Sequence, residues 1–123
     1  MKRYKIGIVG TGFGVRVHLP ALHNHPRFDV VALASPTSAA QVARTENVAH
    51  AFRSCAEMLA GVDLDAVAVA SPPFAHCDDV LAALAQRKHV VCEKPFALRV
   101  DDATRMLEAA RSAGTACGVA HEF

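Results

Sequence analysis

Five short segments of this 123-residue chain combine residue types that can hold a phosphate, a ribose or a proton. The first is Gly10-Thr11-Gly12-Phe13-Gly14, directly after an apolar run. Glycine at position 10 permits a tight turn, and at position 12 it lets the backbone approach a pyrophosphate. A helix starting here offers unpaired N–H groups and a positive dipole end to the same phosphates. The spacing departs from G-x-G-x-x-G, because Val15 holds the third glycine's place and Gly14 precedes it. The expected result is a wider or differently angled approach of helix to strand. Without a ligand, the segment is simply a glycine-rich turn.

The second segment, Ser35-Pro36-Thr37-Ser38, has no acid where an NAD-specific site places Asp or Glu against the adenosine ribose. Asp29 precedes the strand and Glu46 falls on the next helix. Small hydroxyls at Ser35 and Thr37 suit a 2′-phosphate, which tilts the reading slightly to NADP over NAD. No arginine sits in the turn, and Arg44 is the basic side chain considered for it. The same residues also serve as an N-cap and first helical turn. In the third segment, Ser71-Pro72-Pro73, two prolines fix an extended exit that can lie against the nicotinamide ribose. His76 falls in the first turn of the helix beyond, either facing that crevice or lying on the surface. The fourth segment, Glu93-Lys94-Pro95, sets a charged pair directly after an apolar strand. A desolvated lysine there can move a proton or polarise a substrate oxygen. The fifth is His121, after the last strand, in position to line the same crevice.

These segments must be positioned by the runs between them. Residues 4–9, 30–35, 48–52, 66–70, 89–92 and 115–120 are short, apolar and β-rich. Helical patterns alternate with them, the order of a parallel α/β sheet. Val15, His18, Leu19 and Leu22 form the first helical stripe, and Pro20 within it predicts a kink or break near Leu19. Ala39, Val42 and Ala43 carry the second helix. Ser54, with Glu57 three residues on, caps a short third helix. Cys77, Val80, Leu81 and Leu84 mark the fourth, and Ala103, Met106, Leu107 and Ala110 the fifth, with Gly114 as its C-terminal cap. The expected fold is a doubly wound parallel sheet, the Rossmann arrangement, with six strands ordered 3-2-1-4-5-6 and helices on both faces. Ligands of such a sheet bind beyond the carboxyl ends of its strands, at the switch between strands 1 and 4.

Composition narrows the classes. The length fits one domain, and 52% hydrophobic residues suffice for a core. An exposed apolar face awaiting a partner is compatible with so small a unit. A net charge of +1, with its basic residues scattered, argues against nucleic-acid binding. Cys55, Cys77, Cys92 and Cys117 form no CxxC pair and fit no zinc spacing, so no metal site is expected. They read as reduced, mostly buried thiols of a cytoplasmic protein. No signal-peptide core or membrane-length apolar run is visible.

Taken together, the chain resembles the glucose–fructose oxidoreductase/inositol dehydrogenase family (Gfo/Idh/MocA) over residues 5–123. The resemblance rests on I-G-I-V-G-T-G-F-G with His18-Leu19-Pro20, on A-S-P-P-F-A-H at 70–76, and on K-H-V-V-C-E-K-P at 88–95. The last motif is the most specific of the three. The resemblance implies NAD or NADP as cofactor and hydride exchange with sugars, polyols or related compounds. It implies that Lys94 assists catalysis and that Glu93 contacts the nicotinamide ribose. It assigns phosphate and nicotinamide contacts to Gly12, Phe13, Gly14, Ser71, Pro72 and Pro73, and the adenosine ribose to Ser35 and Thr37. It also implies a following mixed α/β domain that supplies the Asp and His of the active site, most of the substrate pocket and a homo-oligomer interface. Residues 1–123 then form the dinucleotide-binding domain alone, expected to bind cofactor without efficient turnover. The alternative is a non-catalytic dinucleotide-sensing module. A methyltransferase with a glycine-rich first loop fits less well, given the E-K-P corner.

Overall fold

In the computed structural model, residues 2–121 are described, so residues 1, 122 and 123 of the expected domain lie outside the described residues. The strands are Tyr4–Val9 (β1), Phe28–Ala34 (β2), His50–Phe52 (β3), Ala66–Val69 (β4), His89–Glu93 (β5) and Cys117–Ala120 (β6). All five strand pairs are parallel, and the sheet order is β3-β2-β1-β4-β5-β6. The chain thus winds outward from β1 to one edge and then returns to wind outward to the other. Strands β1 and β4 are buried along nearly their whole length, as apolar runs covered on both faces must be.

The helices are Leu19–His23 (α1), Ala39–Glu46 (α2), Cys55–Gly61 (α3), His76–Ala85 (α4) and Val100–Ala113 (α5). One face of the sheet packs on α3, α4 and α5 through Met58, Val67, Val80, Leu84 and Met106. The other packs on α1 and α2 through Ile6, Ile8, Leu19, Leu33 and Ala43. Among the described residues no helix is long and apolar enough to cross a membrane.

The first helix breaks where Pro20 predicts. Residues Gly14–His18 form a π-helical turn, closed by the Leu19 N–H donating to the Gly14 carbonyl five residues back. Pro20 then sits in the first turn of α1, where its missing N–H costs least. Helix α3 starts as expected: Ser54 Oγ accepts the Glu57 N–H at 3.1 Å, and Glu57 Oε2 accepts the Arg53 N–H at 3.1 Å. Gly114 ends α5 at φ 70°, in the left-handed region.

The buried face of α5 differs from the expected one. Met106 is fully buried with Ala109, Ala110 and Ala113 beside it, whereas Leu107 is 48% exposed. Two stripes with the same i, i+3, i+4, i+7 spacing share Met106 and Ala110, so periodicity alone leaves the choice to packing against α4. Some strands also start elsewhere than expected. Strand β2 begins at Phe28, because Phe28 pairs with Tyr4 of β1, whereas β3 and β6 begin two residues later than their apolar runs.

Candidate cofactor and active site

The turn after β1 lies at the switch point of the sheet. The Gly10 N–H donates to Ala34 O of β2 at 2.9 Å, while the Ala70 N–H beyond β4 donates to Val9 O at 2.7 Å. Gly10 has φ +105°, and a Cβ there would lie 2.3 Å from Ala70 O. Gly12 is the opposite case: a Cβ there would meet no atom within 4 Å. Its absent side chain leaves open room at the cleft. Among the described residues no backbone bond occupies the N–H of Gly12 or Phe13. A phosphate-sized group therefore finds both space and free donors, which is what a dinucleotide requires of this loop.

Gly14 corrects the expectation of a wider helix approach. A Cβ on Gly14 would sit 2.7 Å from Ile8 Cγ2 and 3.3 Å from Ala70 Cβ. The helix lies close on the sheet, and Gly14 does the work expected of a glycine one position later. The π-helical turn begins at this residue.

A cleft of about 520 Å³ runs from this loop between the ends of β2 and β4, lined by Gly10, Gly12, Ser35, Arg53, Ser71 and Pro72 among others. A smaller one of about 230 Å³ continues toward β5, lined by Phe13, Ser71, Pro73, His76, Glu93 and Lys94. A third, at the outer end of β2, takes in Thr37 and shares Ser35 and Arg53. The structure thus gathers the predicted residues along the carboxyl edge of the sheet. His121 is exposed at the end of β6, one step past the Glu93–Ala120 pair and so across from Lys94, although it lines none of these clefts.

Two histidines have roles that the sequence did not disclose. His76 is 1% exposed, so it is not a surface residue. Its Nδ1 lies 2.8 Å from Pro95 O and its Nε2 2.7 Å from Ser71 O. With both ring nitrogens on backbone carbonyls, His76 ties the exit of β4 to the exit of β5 and has no nitrogen left for a ligand. His18, read as part of an apolar stripe and of the His18-Leu19-Pro20 motif but given no role, places Nε2 2.6 Å from Glu93 Oε2. Glu93 is itself buried, so this pairing spares a carboxylate from burial without a partner. Phe13 meets the His18 ring edge-on at 5.8 Å between centroids. The glycine loop, the first helix and the E-K-P corner are thereby joined around one carboxylate.

Lys94 is exposed, so the described residues do not supply the desolvation anticipated for it. The Lys94–Pro95 peptide is cis. Beyond β4, Ser71 Oγ donates to Asp79 Oδ2 at 2.7 Å. Burial pushes the Asp79 carboxyl above its ordinary range, and the bond from Ser71 only partly opposes this. At the end of β2, the Ser38 hydroxyl lies 2.6 Å from Thr11 Oγ1 and 3.0 Å from Ser35 Oγ. Ser38 precedes α2 but does not cap it with its side chain. Its hydroxyl instead links the glycine loop to the β2 turn. Arg44 lies in the last turn of α2, away from the carboxyl edge, so it does not serve this turn.

Residues 4–121 match the family model described as "Oxidoreductase family, NAD-binding Rossmann fold" of Gfo/Idh/MocA proteins. The chain belongs to this family. It is 36% identical over 108 residues to an uncharacterized oxidoreductase of Synechocystis sp., covering 86% of this chain and 29% of that protein. It is 33% identical to the scyllo-inositol 2-dehydrogenase (NADP(+)) IolU of Bacillus subtilis, over 89% of this chain and 34% of the relative. The crystal structure of the WlbA dehydrogenase from Bordetella pertussis in complex with NADH and UDP-GlcNAcA superposes with a TM-score of 0.88 at 30% identity. That match covers 97% of this chain and 37% of WlbA. The chain therefore spans about a third of the length of the relatives it matches. It corresponds to the NAD-binding Rossmann domain of these oxidoreductases.

Proposed function

We propose that this chain holds the cofactor of a nicotinamide-dependent oxidoreductase acting on a sugar, polyol or related alcohol or carbonyl compound. When bound, the nicotinamide supplies hydride exchange with a substrate carbon. The observation that carries the reading is the continuous line of clefts from Gly12 to Lys94, with open space at Gly12 and free N–H groups beside it.

In this reading Gly12, Phe13 and Gly14 hold the pyrophosphate, and Ser35 and Thr37 meet the adenosine ribose. Ser71, Pro72 and Pro73 line the nicotinamide side. Glu93, fixed by His18, accepts from the nicotinamide ribose. Lys94 stands at the mouth of the inner cleft and moves a proton or polarises the substrate oxygen once the rest of the protein covers it. The larger remainder of the protein supplies the other substrate groups and the subunit contacts. The absence of an acid at the end of β2 favours NADP over NAD, and a relative's name carries NADP(+).

Calorimetric titration of the 123-residue chain with NAD, NADP and S-adenosylmethionine tests the cofactor reading. Binding of a dinucleotide and not of S-adenosylmethionine is expected, with no steady-state oxidation of polyols, because substrate positioning is incomplete. If neither dinucleotide binds below millimolar concentration, the reading fails. In the whole protein, Lys94→Ala separates an enzyme from a sensor: turnover should drop while cofactor affinity holds.

A further inference from the structure

We infer that Arg53 selects NADP by binding its ribose 2′-phosphate, with the arginine delivered from the end of β3 and not from the turn after β2. The inference rests on the dinucleotide reading above and names the group that discriminates between the two cofactors.

Register places Arg53. Ala34 of β2 pairs with Phe52 of β3, and the Ser35 N–H donates to Phe52 O at 3.0 Å. Arg53 and Ser35 are therefore neighbours across adjacent strands, one step past the last pair, with strands about 4.8 Å apart. Ser35 is where the adenosine ribose of a dinucleotide seated on the glycine loop arrives. Arg53 lines both the central cleft and the outer cleft that contains Thr37.

The charges at this end suit an anion. Among the described residues the Arg53 guanidinium has no hydrogen-bond or ion-pair partner, as is also true of Arg16, Arg44, Arg87 and Arg111, but of these arginines Arg53 alone lines the central and outer clefts. No carboxylate follows β2: Asp29 lies near the strand's opposite end, paired in register with Lys5, and Glu46 closes α2. One carboxylate, Glu57, lines the outer cleft, and it is held in the first turn of α3 by the Arg53 backbone N–H. A ribose 2′-phosphate carries close to two negative charges at neutral pH. A guanidinium matches it with two parallel N–H donors, and the hydroxyls of Ser35 and Thr37 add uncharged ones. NAD presents only a hydroxyl at the same place, which gives Arg53 nothing to neutralise.

Two probe pairs that differ by this one phosphate decide the matter: adenosine 2′,5′-bisphosphate against 5′-AMP, and NADP against NAD. Calorimetric titration of the native chain should show about tenfold or greater preference for the 2′-phosphorylated member of each pair. Arg53→Gln should abolish the preference while leaving 5′-AMP and NAD within about twofold, and Arg53→Lys should keep part of it. Arg44→Gln, on the far end of α2, should leave the preference intact. Circular dichroism checks that the exposed substitution leaves the fold in place. Equal binding of both members by the native chain overturns the inference, as does a preference that survives Arg53→Gln. Failure of every probe to bind would instead remove the dinucleotide reading itself, and this inference with it.

Discussion

At the scale of single residues, the glycines of the first loop separate stability from binding. Gly10 combines a left-handed φ with a backbone carbonyl in the path of any Cβ. Gly10→Ala is expected to cost about 2 kcal/mol or more, read by urea unfolding, because neither strain nor clash can be relieved by a side-chain rotation. Gly12 has open space around its missing side chain. Gly12→Ala should leave stability within about 0.5 kcal/mol yet weaken dinucleotide binding about tenfold or more. Unchanged binding by that variant would mean the phosphates lie elsewhere. The pairing of His18 with Glu93 belongs to the same scale: a buried carboxylate is tolerated at the E-K-P corner because a residue 75 positions earlier meets it.

At the scale of elements, helix α5 shows how packing chooses between faces that the sequence leaves equivalent. Met106 points into the core between the sheet and α4, while Leu107 points outward. Met106→Ala should destabilise by about 2–5 kcal/mol, and Leu107→Ala by about 0.5 kcal/mol or less, compared by thermal unfolding. The reverse ranking would restore the face that periodicity alone suggests. The first helix makes the related point for backbone geometry. Its stripe is regular, yet Gly14 brings it close to β1 and the start forms a π-helical turn that gives way to α1 where Pro20 sits in the first turn.

At the scale of the whole molecule, the thiols report on how tightly the layers close. Burial pushes the Cys55 and Cys92 thiols up to about 12. At pH 8 that leaves on the order of one thiolate in ten thousand at each. Both should resist alkylation in the native protein and react once denaturant opens the sheet–helix layers, a difference measured by mass spectrometry of labelled chains. Rapid native labelling at either site would mean that the core opens locally. Exposed apolar side chains are also present, with Phe74 78% and Val100 82% accessible.

The sequence by itself determined the strand count, the strand order, the glycine turn, the α3 cap and the Gly114 stop. The turn, the cap and the stop are each written in a few consecutive residues, where propensity, period and turn chemistry act locally, whereas the strand count and order follow from the βα alternation of the whole chain. It also named most of the residues along the carboxyl edge, because that edge follows from the βα alternation alone. Only the tertiary structure decided what those residues touch. His76 and Pro95 lie 19 positions apart, His18 and Glu93 lie 75, and Ser38 and Thr11 lie 27. Arg53 reaches the β2 turn only because β3 docks there in one register. Likewise His121 comes across from Lys94 only because β6 docks on β5 with Ala120 opposite Glu93. Contacts between distant segments depend on how layers close and strands align, and no local pattern of residues records that.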